Sequence, residues 1–166
     1  GKDGDFYHGQ PVLPLSSLTA GLARWLPVSF EQLVYYLPIL LGSLLVVPVM
    51  LAGWLLRLPD GGFLAALFSS LAVGFFNRTC GGYFDTDMLV LPLAVLILAA
   101  GLAAMQKRHP ALLLAVTISF TLYERWYPSG YLLAFLLLGV LAVYVAAYRR
   151  RDLDAWEVAV FGCLGL

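Results

Sequence analysis

Charge is what this sequence has least of. Only 12% of its 166 residues are charged while 61% are hydrophobic, against roughly 25% charged in an ordinary soluble domain. One soluble core of this size cannot hide that much apolar surface. The ten basic and ten acidic residues cancel, and no long basic run exists, so nothing supports nucleic-acid binding. Cysteine is nearly missing: Cys80 and Cys163 lie in different apolar contexts without ligand spacing, which excludes a disulfide framework or a zinc site. His109, beside Pro110, reads as solvated, and His8 carries no functional signal. Alternation of apolar and polar residues is also missing, which argues against a β-barrel. No signal peptide is visible. The chain begins Gly1-Lys2-Asp3 and stops inside an apolar run at Cys163-Leu164-Gly165-Leu166, so it is expected to be a piece of a longer protein, with any soluble C-terminal domain outside it.

What the sequence does have is long hydrophobic runs, and mean hydropathy is +0.87. The expected fold is an all-α polytopic membrane protein, with five full spans plus the start of a sixth. Residues 1–28 read as a loop outside the membrane, where Pro11 and Pro14 oppose a helix. Within it, Leu18, Leu22, Trp25 and Leu26 recur at helical spacing over residues 16–26. That segment is too short to span a bilayer and fits an interfacial helix, or equally an ordinary helix packed on other loops. Residues 29–166 hold the transmembrane helices. Ser29 with Gln32 forms a capping box, so the first span starts near Phe30 and runs to Leu56, kinked at Pro38 and Pro48. Asp60-Gly61-Gly62 reads as a tight turn. Further spans are expected over residues 63–76, 88–105, 110–122 and 131–147, with a sixth from about Ala155.

Basic residues set the orientation of such a chain. Arg57, then Lys107 and Arg108, then Arg149 to Arg151 all follow odd-numbered spans, giving six on one side against Lys2, Arg24, Arg78 and Arg125 on the other. The six-charge side is therefore expected in the cytoplasm. The leading loop and residues 77–88 then face outward.

That stretch, Asn77-Arg78-Thr79-Cys80-Gly81-Gly82-Tyr83-Phe84-Asp85-Thr86-Asp87-Met88, concentrates charge where a hydrocarbon layer must end. Two carboxylates two residues apart can converge on one divalent cation, and hard oxygen donors suit Mg²⁺ or Mn²⁺. Asp87 would stand at a helix N-terminus, where the dipole favours negative charge. Arg78 is near enough in sequence to orient a carboxylate or bind a phosphate oxygen. Gly81-Gly82 would free the backbone and let a bulky substrate approach. The bland alternative is a pair of helix-capping aspartates beside an interfacial arginine, and the D-x-D by itself does not decide. Tyr123, Trp126 and Tyr127 at the other outward turn fit an aromatic belt, and Glu124-Arg125 a neighbour ion pair or two solvated charges. Asn77-Arg78-Thr79 matches the glycosylation pattern, but it sits hard against a span and reads as a non-acceptor.

Taken whole, the string of residues 77–88 resembles the second acidic motif of the catalytic subunit of oligosaccharyltransferase, in its bacterial single-subunit form. The resemblance covers nearly the whole chain, including Ser16-Ser17-Leu18-Thr19, Ser29-Phe30-Glu31 and Trp126-Tyr127-Pro128-Ser129 in the same order. It implies a C-type glycosyltransferase membrane fold. It further implies transfer of an oligosaccharide from a polyprenyl-pyrophosphate carrier to the Asn of an N-x-S/T acceptor polypeptide. By that resemblance Asp85 is a metal ligand, Asp87 a ligand or its supporting carboxylate, Arg78 a support of the acidic cluster, and Tyr127 a neighbour of the lipid-linked donor. The metal would be Mn²⁺ or Mg²⁺. The family's first acidic motif is expected upstream of Gly1, so this piece alone is expected to be inactive. Glu124 departs from the apolar or aromatic residue the family pattern leads one to expect. The competing class is a transporter or channel segment with an outward acidic cation site. It predicts charges at bilayer depth, and the five full spans carry none between their ends.

Overall fold

The computed structural model describes residues 14–127, 135–136, 139–140, 142–143, 146–147 and 154–163. Among them the regular structure is helical. The chain runs through α1 (Pro14–Trp25), α2 (Phe30–Ser43), α3 (Val46–Leu55), α4 (Pro59–Leu71), α5 (Val73–Thr79), α6 (Asp87–Lys107), α7 (Pro110–Trp126) and α8 (Ala155–Gly162).

Helix α6 is the axis. Its apolar interior alternates bulk with small residues, and Ile97, Ala99 and Ala104 are completely buried. Alanine and glycine at 99–101 and 103–104 keep that surface low, which lets neighbouring helices approach closely. Helices α7 and α3 pack on it, and α2, α5 and α8 make smaller contacts. At 21 residues α6 spans about 31 Å, the thickness of a hydrocarbon layer.

The first run begins as expected. The Ser29 hydroxyl accepts from the Gln32 amide at 3.2 Å, and the Gln32 side chain accepts from the Ser29 N–H at 3.1 Å. The run then divides at Leu44–Leu45 into α2 and α3. Pro48 explains the position, because it has no N–H for the Leu44 carbonyl and its ring crowds that group. Pro38, by contrast, lies inside continuous helix. Together the two segments form a 26-residue apolar unit, Phe30–Leu55.

Two proline and glycine readings are corrected. Pro14 does not oppose a helix; it is the first residue of α1, a position that needs no N–H and suits the fixed φ of proline. Asp60-Gly61-Gly62 is not the turn but the first turn of α4, opened by Pro59. The reversal occurs one step earlier, at Arg57, whose φ is 62°. The glycine serves packing instead. A Cβ on Gly53 would lie 2.3 Å from the Gly62 Cα, so α3 and α4 cross backbone to backbone.

The second expected span is broken. Helices α4 and α5 meet at Ala72 with a 62° bend. Near the break, Ser70 donates to the Ala66 carbonyl at 2.8 Å, a back-bond that bends helices, and Gly74 follows it. Helix α1 settles some of the open alternative about residues 16–26. It buries Leu15 and Thr19 against the bundle while Trp25 is 88% exposed, so it is a docked helix with one exposed, aromatic end. Among the described residues, two helical units can cross a membrane by length and composition, Phe30–Leu55 and Asp87–Lys107, or three if the bent α4–α5 pair counts as one. The expected fifth span lies largely outside the described residues. The sixth begins at Ala155, where Asp154 caps α8 by accepting from the Trp156 and Glu157 amides at 3.0 and 2.9 Å.

The loops gather at two ends. At one end, Gln106 donates to the Leu55 carbonyl at 3.0 Å, Lys107 stands 5.2 Å from the Trp54 ring centroid, and Arg108 pairs with Asp154. There Trp156 also donates to the Ala104 carbonyl at 2.8 Å. The stretch 77–88 lies at the other, with Tyr35 and Trp126. The grouping of Arg57, Lys107 and Arg108 anticipated from the charge count is the one observed.

Candidate functional site: an acidic turn at the head of α6

Two helices present the charged residues. Arg78 is in the last turn of α5 and Asp87 is the first residue of α6, each at the helix terminus whose partial charge suits it. They form an ion pair, with the arginine side chain 60% exposed and the aspartate 23%. Exposed to solvent, such a pair contributes little to stability. Its consequence is geometric: Arg78 holds Asp87, the nearer carboxylate of the helix, rather than Asp85.

Asp85 is half-buried and turned back on its neighbour. Its Oδ1 accepts from the Thr86 N–H at 2.6 Å and from the Thr86 hydroxyl at 3.2 Å. No basic side chain among the described residues pairs with it. Each carboxylate thus has one oxygen engaged, Asp85 by the neutral Thr86 and Asp87 by the cationic Arg78, so the negative charge of Asp85 is the less compensated of the two. Among the described residues no cluster of three or more His, Cys, Asp or Glu side chains is assembled to hold a metal. The two aspartates are a pair and not a cage.

The turn between the carboxylates is locked from outside. The indole of Trp126, itself buried, donates to the Thr86 carbonyl at 2.7 Å across 40 positions of sequence. A buried indole N–H left without an acceptor is costly, so this bond ties the end of α7 to the D-x-D. Met88, fully buried, packs in one cluster with Trp126, Leu15 and Leu37, and Tyr127 lies against it. Tyr127 follows the last residue of α7, half-buried, its ring centroid 6.5 Å from that of Tyr123. The fold thus brings Tyr127 to the same end as Arg78, Asp85 and Asp87.

Helix α2 supports the other side. The Gly82 N–H donates to the Tyr35 carbonyl at 3.3 Å, and Gly82 has φ +86°, a conformation that only glycine adopts freely. The reading of Gly82 as a backbone device therefore holds. Gly81 differs from expectation. A Cβ there would lie 2.7 Å from the Tyr35 ring, so the close approach it permits is that of the chain's own tyrosine. Gly42 does the same for a second contact between α2 and α5, where a Cβ would meet the Thr79 side chain at 2.7 Å.

Asn77-Arg78-Thr79 is helical, and the Thr79 hydroxyl donates back to the Phe75 carbonyl at 3.0 Å. Glu124 and Arg125 are both exposed and form no ion pair with each other. Two supports are not legible in the sequence. Trp126 has the look of a membrane-belt residue, and nothing local signals a bond to residue 86. Tyr35 lies in an apolar run, and its role depends wholly on which loop α2 meets.

These features sit in a chain whose kinship is clear. A family model for "Oligosaccharyl transferase STT3, N-terminal" matches residues 3–163. The chain belongs to that family. Relatives include the undecaprenyl-diphosphooligosaccharide–protein glycotransferase of Campylobacter jejuni in two strains, each 38% identical over 152 residues. The match covers 92% of this chain and 21% of each relative, so the chain spans about a fifth of the length of the curated relatives it matches.

Proposed function

We propose that this chain is the segment of a membrane oligosaccharyltransferase that contributes an acidic motif to its active site. The full protein would transfer an oligosaccharide from a polyprenyl-pyrophosphate carrier to the Asn of an N-x-S/T acceptor polypeptide. The observation that carries this reading is the braced D-x-D: Asp85 available, Asp87 held by Arg78, and the backbone between them tied to Trp126. The printed name of the Campylobacter relatives supports the lipid-linked donor and the protein acceptor. The basic-residue count supports an arrangement with the acidic turn on the periplasmic or exterior side of a bacterial cell membrane.

The donor set partly fits a divalent metal. Two carboxylates are hard oxygen ligands of the kind Mg²⁺ and Mn²⁺ prefer, and octahedral coordination leaves room for further oxygens from elsewhere. Asp85 would hold the ion directly, with Asp87 as a second ligand or a brace. When bound, such an ion supplies charge stabilisation to a pyrophosphate leaving group. The chain's own residues do the positioning. Arg78 neutralises Asp87 and so limits repulsion between the two carboxylates. Gly82 and the Thr86–Trp126 bond hold the turn, which confines Asp85 to one orientation. Tyr127, packed beneath the head of α6, would contact the lipid-linked donor.

The test is Asp85→Ala in the full-length protein, assayed for transfer of lipid-linked oligosaccharide to an N-x-S/T peptide. Transfer should fall by about 10²-fold or more, the scale for losing a main electrostatic group, with the melting temperature unchanged. Transfer at the wild-type rate would sink the reading. A transporter reading requires charge at membrane depth, and none lies between Asp87 and Lys107 or between Glu31 and Arg57.

A further inference from the structure

The end of the bundle opposite the acidic turn carries a cleft that shares no residue with the site described above. It has a volume of about 520 Å³ and is lined by Trp54, Leu55, Arg57, Pro59, Gln106 and Lys107. Three cations gather near it, and they are not equivalent. Arg108 is neutralised by Asp154. Arg57 and Lys107 have no carboxylate partner among the described residues, and Asp60, exposed in the first turn of α4, pairs with neither.

The cleft is built rather than incidental. Gln106 donates to the Leu55 carbonyl at 3.0 Å, which joins the end of α6 to the end of α3. Contact between Gly53 and Gly62 forces the chain to reverse within Leu56–Leu58, and Arg57 takes a left-handed φ of 62° to do so. A non-glycine residue is disfavoured in that region by its Cβ, so a glycine would suit the turn better than arginine does. Lys107 extends over the Trp54 ring, its ammonium 5.2 Å from the centroid, which fixes the second charge on the cleft wall. The surroundings are those of a membrane boundary. Both apolar units, Phe30–Leu55 and Asp87–Lys107, terminate here, and Trp54, Leu56 and Leu58 stay exposed at 60%, 44% and 63%.

We propose that this cleft binds the phosphate of an anionic phospholipid, held between Arg57 and Lys107, with the acyl chains lying on Trp54, Leu56 and Leu58. Two unpaired cations on a rigid frame match a phosphate, and the exposed apolar residues beside them match a lipid rather than a free ion. A phosphodiester has acceptor oxygens for both cations but only one negative charge, so the site keeps a positive excess that favours a lipid of net negative charge over a zwitterionic one. The site is independent of the glycan-transfer reading and stands or falls by itself.

The full-length protein is purified from bilayers of phosphatidylglycerol and phosphatidylcholine, and retained lipid is counted by native mass spectrometry. Wild type should retain phosphatidylglycerol in preference. Arg57→Gly removes one charge while favouring the turn, so retention should fall about fivefold with no loss of melting temperature. Lys107→Gln should act similarly, and R57G/K107Q together should fall by roughly the product of the two. The conservative pair R57K/K107R should keep the preference. Equal loss from Arg149→Gln, in the neighbouring basic cluster of the sequence, would overturn the site in favour of diffuse attraction. Unchanged retention by R57G/K107Q would overturn it outright. Displacement of the lipid by millimolar inorganic phosphate would assign the cleft to a free anion and overturn the lipid.

Discussion

The two ends of this bundle hold their charges by opposite means. At the acidic end, Arg78, Asp85 and Asp87 are braced by long-range bonds: Trp126 reaches Thr86 across 40 positions, and Tyr35 holds the Gly81-Gly82 backbone. At the basic end, helix termini meet through Gln106 and Leu55 and through glycine on glycine, and two cations have no carboxylate partner among the described residues. One end restrains carboxylates so that an oxygen is available. The other strains an arginine at the edge of a cleft.

The comparison can be broken most severely at Asp85. Asp85→Asn keeps the shape and the bond from the Thr86 amide but removes the charge, and transfer by the full-length protein should still fall about 10²-fold. Equal loss from Asp87→Asn would make the two carboxylates equivalent, against their different partners. The next effect is structural and belongs to the basic end. Gly53→Val forces a side chain into the Gly62 backbone and should destabilise the protein by about 1–3 kcal/mol or more, read as a lower melting temperature in detergent. At the acidic end, Trp126→Phe keeps the ring and removes the bond to Thr86. A loss of about 1 kcal/mol should appear together with a several-fold drop in transfer, and a drop in stability without one would reduce Trp126 to packing.

The smallest effect is a matter of pH. Amides at the head of α8 donate to Asp154, chiefly that of Glu157, and with Arg108 beside it they hold its carboxyl below the usual carboxylate range. A depressed value means that the folded state favours the charged form. Its stabilisation is therefore fully present above the ordinary carboxylate pKa and is lost as the pH falls through the folded value. Trp156 fluorescence should thus stay constant down to about pH 4 and change only below it, and Asp154→Asn should abolish that change.

Some of this architecture follows from local chemistry alone. The capping box at Ser29, the start of α8 at Ala155 and the apolar length of α6 are written in residues within a few positions of one another, so the sequence reveals them. The grouping of Arg57, Lys107 and Arg108 follows as well, because alternating spans carry it. Proline and glycine are harder to read. Pro14 and Pro59 open helices and Gly53 and Gly62 pack against each other, since these residues act differently at a helix start, a helix crossing and a turn.

By itself, then, the sequence determined that the chain is apolar and helical, that its loops divide between two ends, and that residues 77–88 concentrate an arginine and two aspartates between apolar runs. Only the tertiary structure decided that Arg78 pairs with Asp87 and not Asp85, that Gly81 makes room for Tyr35, and that Trp126 ties down the turn between the aspartates. The physical reason is range. Caps and helical periodicity act over three or four residues, whereas the partner of a buried indole or an arginine depends on which distant helix packing brings beside it.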